Sequence, residues 1–221
     1  MVYLKSFFFN SLFYVGTGIL VIVMGPVLLF PSGYARALAR FWGYMTYLLL
    51  GMIGITQNVS GDRQLNRQVL YAVKHQSAWE TIILCWLLAA PAFVLKRELL
   101  WLPIIGWFFL KTGCIPVDRS AGMRALREMR AAGQDLAKKK RSMLIFPQGT
   151  RVAPGVKQPY EIGVFSLYEA TGLPVVPVAL NSGHVWPRNS WLKYPGSVTV
   201  EFLDPIEPGL DRKHFMETLK Q

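Results

Sequence analysis

The sequence predicts an α/β fold: a mainly parallel sheet flanked by helices, preceded by an N-terminal two-helix membrane hairpin. Three observations carry this expectation. Apolar residues make up 52% of the chain and charged residues only 17%, where a soluble domain carries about 25% charged residues. The apolar excess sits at the front, with no charged side chain between Lys5 and Arg36. Behind it, short β-prone runs alternate with helical stretches, as in a parallel sheet covered on both faces. The 221 residues are enough for about one domain with a substantial core. Residues 1–60 read as a membrane-anchoring segment and residues 61–221 as the α/β domain. Intrinsic disorder is excluded, because disordered chains are poor in apolar residues. Two cysteines, Cys85 and Cys114, cannot make a multi-bridge secreted scaffold or a four-thiolate zinc site. The net charge of +11 favours nucleic acid or an anionic membrane surface. The apolar runs decide for the membrane and against nucleic acid, and the charge is spread over both halves without a basic tail.

The first element is the uncharged run Leu12–Phe30, long enough for a bilayer helix of roughly 17–25 residues, with a kink expected at Pro26. A second uncharged run lies between Arg40 and Asp62 and contains Gly43, Gly51 and Gly54, which permit close helix approach. A cleaved signal peptide fits poorly, since the run exceeds the roughly 7–15 residues of its apolar core. A hairpin that spans the bilayer places Arg36 and Arg40 on the far side, against the usual bias of positive charge. One that dips into a single leaflet keeps them at one interface with Lys5 and is favoured, although the spanning arrangement stays open.

The remaining elements follow in alternation. Strands are expected at Val69–Val73, Ala92–Leu95, Cys114–Val117, Met143–Phe146, Val175–Leu180 and Val198–Phe202. Ser77–Ala90 reads as a buried helix ended by Pro91. Glu98–Leu110 reads as a helix broken at Pro103 and Gly106, and Gly163–Thr171 as a helix stopped by Gly172. In Met123–Lys139, Met123, Leu126, Met129, Leu136 and Ala137 fall near one helical face. Its basic side, Arg124 to Arg141, is either a solvated face or a contact for anionic headgroups.

No metal-ligand spacing, G-x-S-x-G elbow, P-loop or dinucleotide loop occurs in the sequence, so other chemistry must be sought. His75 lies between a predicted strand and a predicted helix. Ser77 and Glu80 have the spacing of a capping box, which alone would explain both. A neutral imidazole there is equally a ready general base, with a carboxylate in the first helical turn to fix its tautomer. Asp118 and Arg119 end a second predicted strand, and Phe146-Pro147-Gln148-Gly149-Thr150-Arg151 ends a third. Ligands of open α/β sheets bind beyond the carboxyl ends of strands, so these groups can converge. Arginine suits phosphate there.

These blocks resemble the membrane glycerolipid acyltransferases, in particular the bacterial 1-acyl-glycerol-3-phosphate (lysophosphatidate) acyltransferases. His75 to Glu80 is similar to the family's His-x4-Asp motif, with Glu in the acid position. Gly113, Cys114, Ile115, Pro116, Val117, Asp118 and Arg119 resemble its second block. Phe146 to Arg151 resemble a Phe-Pro-Glu-Gly-Thr-Arg block, with Gln148 where the family has Glu. Val175–Ala179 resembles a fourth block, and Lys96-Arg97-Glu98-Leu99 an intervening Lys-x-Glu-Leu stretch. The resemblance covers roughly residues 60–210, and four blocks in order are highly specific.

The resemblance implies an acyltransferase that moves a fatty acyl chain from a thioester onto the free hydroxyl of lysophosphatidate, giving phosphatidate for phospholipid synthesis. His75 would deprotonate the hydroxyl and Glu80 orient it, without an acyl-enzyme. The second and third blocks, with Arg119 and Arg151 and with Lys96 nearby, would hold the glycerol phosphate. No cofactor or metal is implied, only an acyl-CoA or acyl carrier protein co-substrate. The cytoplasmic (inner) membrane is the implied location, with the catalytic domain on the cytosolic face. Another lysolipid, such as a lyso-ornithine lipid or lysophospholipid, is the alternative acceptor. A non-catalytic module that binds anionic lipid is the alternative of another class.

Overall fold

The computed structural model of the chain describes residues 1–220. Seven strands form one sheet: β1 (Ile55–Ser60), β2 (Leu70–Val73), β3 (Ala92–Lys96), β4 (Ile115–Val117), β5 (Met143–Ile145), β6 (Val175–Leu180) and β7 (Gly196–Phe202). Their order is β1-β7-β6-β2-β5-β3-β4. Every pairing is parallel except β6 with β7. β2 is central and buried along its whole length, as expected of a parallel strand covered on both sides. Tyr71 and Val73 point into one core with Leu144 and Val178; Leu70 and Ala72 point into the other with Met143 and Ile145.

The first core is covered by α3 (Trp79–Leu87) and, outside it, by α2 (Ser32–Met52); the second by α5 (Met123–Lys138), α6 (Gly163–Thr171) and α7 (Arg212–Thr218). α4 (Ile105–Thr112) follows a 3-10 turn at Arg97–Trp101, so the helix expected over Glu98–Leu110 is broken at Pro103, as its proline dictates. Two elements were not expected. β1 is a polar edge strand with one buried residue, Ile55, so it lacks an apolar alternation, and it takes the last residues of the 1–60 segment into the sheet. α7 is short and charged and buries Phe215. On α5 the buried stripe is Ala125, Met129, Gly133 and Leu136, while Met123 is exposed. Its basic side lies on the sheet face opposite α2 and is partly neutralised by Arg130–Glu169 and Lys139–Asp135 pairs.

α1 runs from Val2 to Val27, starting well before Leu12, and Pro26 falls in its last turn, so the proline ends the helix rather than kinking its middle. By length and composition α1 can cross a bilayer, and most of it is exposed. The turn at 28–31 returns the chain into α2, which carries Arg36 and Arg40 and begins ahead of the second uncharged run. The hairpin is fastened to the α/β body at both ends. Near the start of α1, Ser6 Oγ donates to the Lys193 carbonyl (3.3 Å) and accepts from its N–H (2.9 Å), and Asn10 donates to the Trp191 carbonyl (2.8 Å). Phe9 packs edge-on against Trp186 at 5.3 Å. Lys193 is only 2% exposed. Its ammonium donates to the Ser190 and Trp191 carbonyls and sits 4.9 Å from the Trp186 ring; loss of water lowers its pKa to about 8. At the hairpin tip, Leu20, Met24 and Ala35 pack with Phe108 of α4. Gly43 brings α2 against α3: a Cβ there would stand 2.7 Å from the Ile82 carbonyl. Gly51 has open space around it, and Gly54 is a turn residue facing Lys5 of α1 and Pro195, so neither brings two helix backbones together. α1, about 39 Å long at 1.5 Å per residue, therefore lies alongside the body rather than projecting from it.

Candidate active site at the carboxyl edge of the sheet

β2, β3, β4, β5 and β6 run parallel, so their carboxyl ends share one edge. Each delivers a short loop there: His75 after β2, Arg97 after β3, Asp118 after β4, Phe146 after β5 and Ser182 after β6. This edge is where ligands of open α/β sheets bind.

His75 Nδ1 lies 2.9 Å from Glu80 Oε1. Glu80 stands in the first turn of α3 and its side chain is 0% exposed. The same oxygen accepts from the backbone N–H groups of Gln76 (2.5 Å) and Ser77 (2.6 Å). Its other oxygen accepts from Ser182 Oγ at 2.6 Å. Ser77 Oγ in turn accepts from the Trp79 N–H (3.0 Å). The one carboxylate thus makes both contacts that the spacing suggested, accepting from the Ser77 N–H at the start of the helix and meeting the His75 ring. Toward an ionised carboxylate Nδ1 is the donor, and the neutral imidazole then carries its lone pair on Nε2. Nε2 has no hydrogen-bond partner among the described residues.

The imidazole is held on its other sides too. The Phe146 ring stacks on it at 3.9 Å and 16°. The His75 N–H donates to Gln148 Oε1 (2.8 Å), and its carbonyl accepts from the Val152 N–H (2.8 Å). Pro147 and Gln148 are buried; the Pro147 carbonyl accepts from the Glu161 N–H (2.8 Å). The third sequence block is thus the wall that grips the histidine from the β5 side. Only the amide oxygen of Gln148 makes this bond, an acceptor role that glutamine and glutamate share.

The second block meets the third through Arg119. A Cβ placed on Gly149 would stand 3.7 Å from Arg119 Nη1, so the exposed guanidinium lies against that loop. Asp118 spends its carboxylate on Ser120, accepting from its hydroxyl (2.6 Å) and N–H (3.0 Å), and faces Arg97 at 3.8 Å. The Ser120 hydroxyl bond, then the backbone bond, hold its carboxyl below the usual range. Ile115 is buried in the second core, Pro116 lies within β4 opposite Leu95, and Gly113 caps α4, so these three build the strand that presents Arg119. Lys96 is exposed at the end of β3, 3.6 Å from Glu98. Thr150 is exposed, and the Arg151 carbonyl accepts from Arg188.

Two participants were not singled out from the sequence. Ser182 is fully buried on Glu80, and Gln76 accepts from the Gly183 N–H at 3.0 Å, tying the β6 loop to the β2 loop. The one signal for Ser182 was its place just past the end of a predicted strand. Neither cysteine is a ready nucleophile: burial pushes the Cys85 thiol up to about 12 and raises Cys114 as well. Among the described residues no cluster of His, Cys, Asp and Glu could hold a metal ion.

Residues 56–181 match the family model described as Acyltransferase. The chain is similar to a 1-acyl-sn-glycerol-3-phosphate acyltransferase of Pseudomonas aeruginosa, with 35% identity over 83% of this chain and 72% of that protein. It is 28% identical to a protein of the same name from Cocos nucifera, over 82% of this chain and 60% of that longer one. The crystal structure of the 1-acyl-sn-glycerophosphate (LPA) acyltransferase PlsC from Thermotoga maritima superimposes with a TM-score of 0.82 at 21% identity, covering all of this chain and 93% of that one. It supports the fold.

Proposed function

The chain belongs to the acyltransferase family, and on that premise we propose that it transfers a fatty acyl chain from a thioester to the free hydroxyl of lysophosphatidate, giving phosphatidate for phospholipid synthesis. The observation that carries this reading is the His75–Glu80 pair, with one ring nitrogen fixed at 2.9 Å and the other open. Nε2 takes the hydroxyl proton as the oxygen attacks the thioester carbonyl. The C–S bond breaks, and the imidazolium returns its proton to the departing sulfur. Glu80 stabilises the imidazolium while that charge exists. Oxygen replaces sulfur on one carbonyl carbon, so the transfer balances with no change of oxidation state.

Arg119 and Arg151, at the ends of neighbouring loops, hold the glycerol phosphate, with Lys96 at the rim of the same edge. The bond of Gln148 to the His75 backbone makes this residue a support of the base, so a glutamine there does not by itself argue for another acceptor. The acyl donor is an acyl-CoA or an acyl carrier protein thioester. Residues 1–60 anchor the chain in the cytoplasmic membrane and residues 61–221 carry the chemistry on the cytosolic side, with β1 tying anchor to sheet. The hairpin lies in one leaflet, because its tip packs on α4 of the body.

The test uses detergent-purified protein, a labelled acyl thioester and lysophosphatidate. Phosphatidate from the wild type and not from His75→Ala supports the reading. Equal product from both overturns the role of His75. Product only with another lysolipid moves the acceptor and leaves the base in place.

A further inference from the structure

The segment between β3 and β4 carries an apolar surface that neither the chemistry nor the N-terminal hairpin explains. Trp101 is 78% exposed and Trp107 62%, and Leu102 and Leu110 are exposed beside them. Soluble surfaces rarely gather such side chains in one place without a binding purpose. The segment is also built firmly. Ile104 has φ of +65°, an outlier for a β-branched residue. A Cβ on Gly106 would stand 2.1 Å from the Leu100 carbonyl, so only glycine lets the turn close this tightly. Strain of this kind persists where the surrounding structure holds it, and it gathers at functional sites. Here it presents Trp101 and Leu102 outward while Ile104, Ile105 and Phe108 turn inward.

What they turn inward against identifies the partner. Phe108, Ile104 and Ile105 pack into one cluster with Leu20, Met24 and Ala35 of the hairpin tip. The exposed residues therefore continue the outward apolar surface of the hairpin, where Leu29, Phe30, Tyr34 and Phe41 are also exposed. The flanks of the segment carry Lys96, Arg97 and Lys111 against Glu98 alone, and the adjoining tip adds Arg36 and Arg40. A second copy of this basic chain would be repelled there, whereas anionic headgroups would be attracted. Tryptophan beside basic residues suits the boundary between acyl chains and headgroups.

We propose that residues 97–111 are a second membrane-inserting element, a knob that enters the same leaflet as the hairpin and receives the acyl-chain and headgroup boundary of an anionic glycerophospholipid bilayer. The proposal rests on the reading of the hairpin as a membrane anchor, not on the acyl transfer. The knob joins β3 to β4, the strands that end at Lys96 and Val117. Inserting it sets the carboxyl edge of the sheet at the height where lysolipid headgroups lie.

The test reads position rather than turnover. The full chain is bound to vesicles of phosphatidylethanolamine and phosphatidylglycerol whose acyl chains are brominated near the carbonyl or at mid-chain. Wild type, Trp101→Phe and Trp107→Phe are compared by tryptophan fluorescence. The expected result is that each substitution removes emission that the bromolipid had quenched, most strongly with bromine near the carbonyl. A Trp101→Ala/Trp107→Ala variant should bind these vesicles about tenfold more weakly with unchanged Tm, and lose its preference for anionic over zwitterionic lipid only in part. If the emission removed by both phenylalanine substitutions is unquenched, the knob faces water and the proposal falls. It falls equally if the double variant binds vesicles normally but raises the KM for the acyl donor in detergent, since the residues would then line the donor's path. Absence of acyl transfer from the wild type itself, with quenching intact, counts against the proposed function and not against the knob.

Discussion

Among the described residues there are two histidine–carboxylate pairs, and only one of them is buried. His75 and Glu80 meet at 2.9 Å, His214 and Asp211 at 2.6 Å, both through Nδ1. The second pair is the shorter, so proximity is not what separates them. His214 and Asp211 are 65% and 63% exposed, and Asp211 is the N-cap of α7, accepting from the His214 N–H at 3.0 Å. Water can rearrange that pair at any moment, and its worth is small. Glu80 is fully buried, takes four hydrogen bonds from four residues, and aims a ring that is also stacked and held at both backbone ends. What makes a base is the set of groups that leave a histidine one orientation, in a site where its free nitrogen meets a ligand.

That contrast can be broken most directly at the imidazole itself. His75→Ala should lower kcat by about 10²–10⁴-fold, the usual contribution of a general base, in an assay of phosphatidate formation. Next, Arg151→Ala should raise the KM for lysophosphatidate about tenfold with little change in kcat, the loss expected of a charge-assisted phosphate contact; an unchanged KM would remove phosphate from this edge. Ser182→Ala strips one donor from the buried carboxylate, at a cost of about 1–3 kcal/mol, and should lower kcat roughly tenfold. In a Glu80→Gln background the same change should add little, so additive losses would show that Ser182 acts by some other route. Gln148→Glu should keep most activity, since the acceptor oxygen remains, while Gln148→Met orphans the His75 N–H and should cost several-fold, read as kcat with Tm as the control. The smallest effect belongs to the other pair. His214→Ala should leave turnover unchanged. Hydrogen bonding to Asp211 raises the His214 pKa above 6.5, and Asp211 is lowered, first by the His214 backbone N–H. The histidine's stabilising share is complete below its unfolded pKa and is lost as pH rises through the folded value. The Tm difference between wild type and variant should therefore be larger near about pH 5.5 than near about pH 9.

The sheet was legible because β2, β5 and β6 are short, continuous apolar runs that a parallel core requires. β1 was not, because an edge strand buries little and Ile55–Ser60 is mostly polar. The hairpin was legible as hydropathy, but its start was misplaced: the run was begun at Leu12, whereas α1 begins at Val2 and its Ser6 and Asn10 bond to residues 187 and 181 positions away. At the site, the His75–Glu80 spacing and the third block were readable, since their partners lie within a few residues or at strand ends. Ser182 was marked only by its place past the end of β6, since its bond to Glu80 spans 102 positions and no spacing records it. Local chemistry leaves a trace in spacing; closure across the sheet does not.

The fastening of α1 to Lys193 also orders events in time. Ser6 and Lys193 are 187 positions apart, and β1 pairs with β7, near the far end of the chain. During synthesis, at about 5–20 residues per second, the first helix waits many seconds with its apolar side unpartnered. An apolar helix that waits must shelter somewhere, and a nearby bilayer is the shelter that does not aggregate it. On the proposed reading of the hairpin as an anchor, early membrane delivery shelters α1 until residue 193 emerges; a chain released into water before then exposes α1 and the unpaired edge of β1 together.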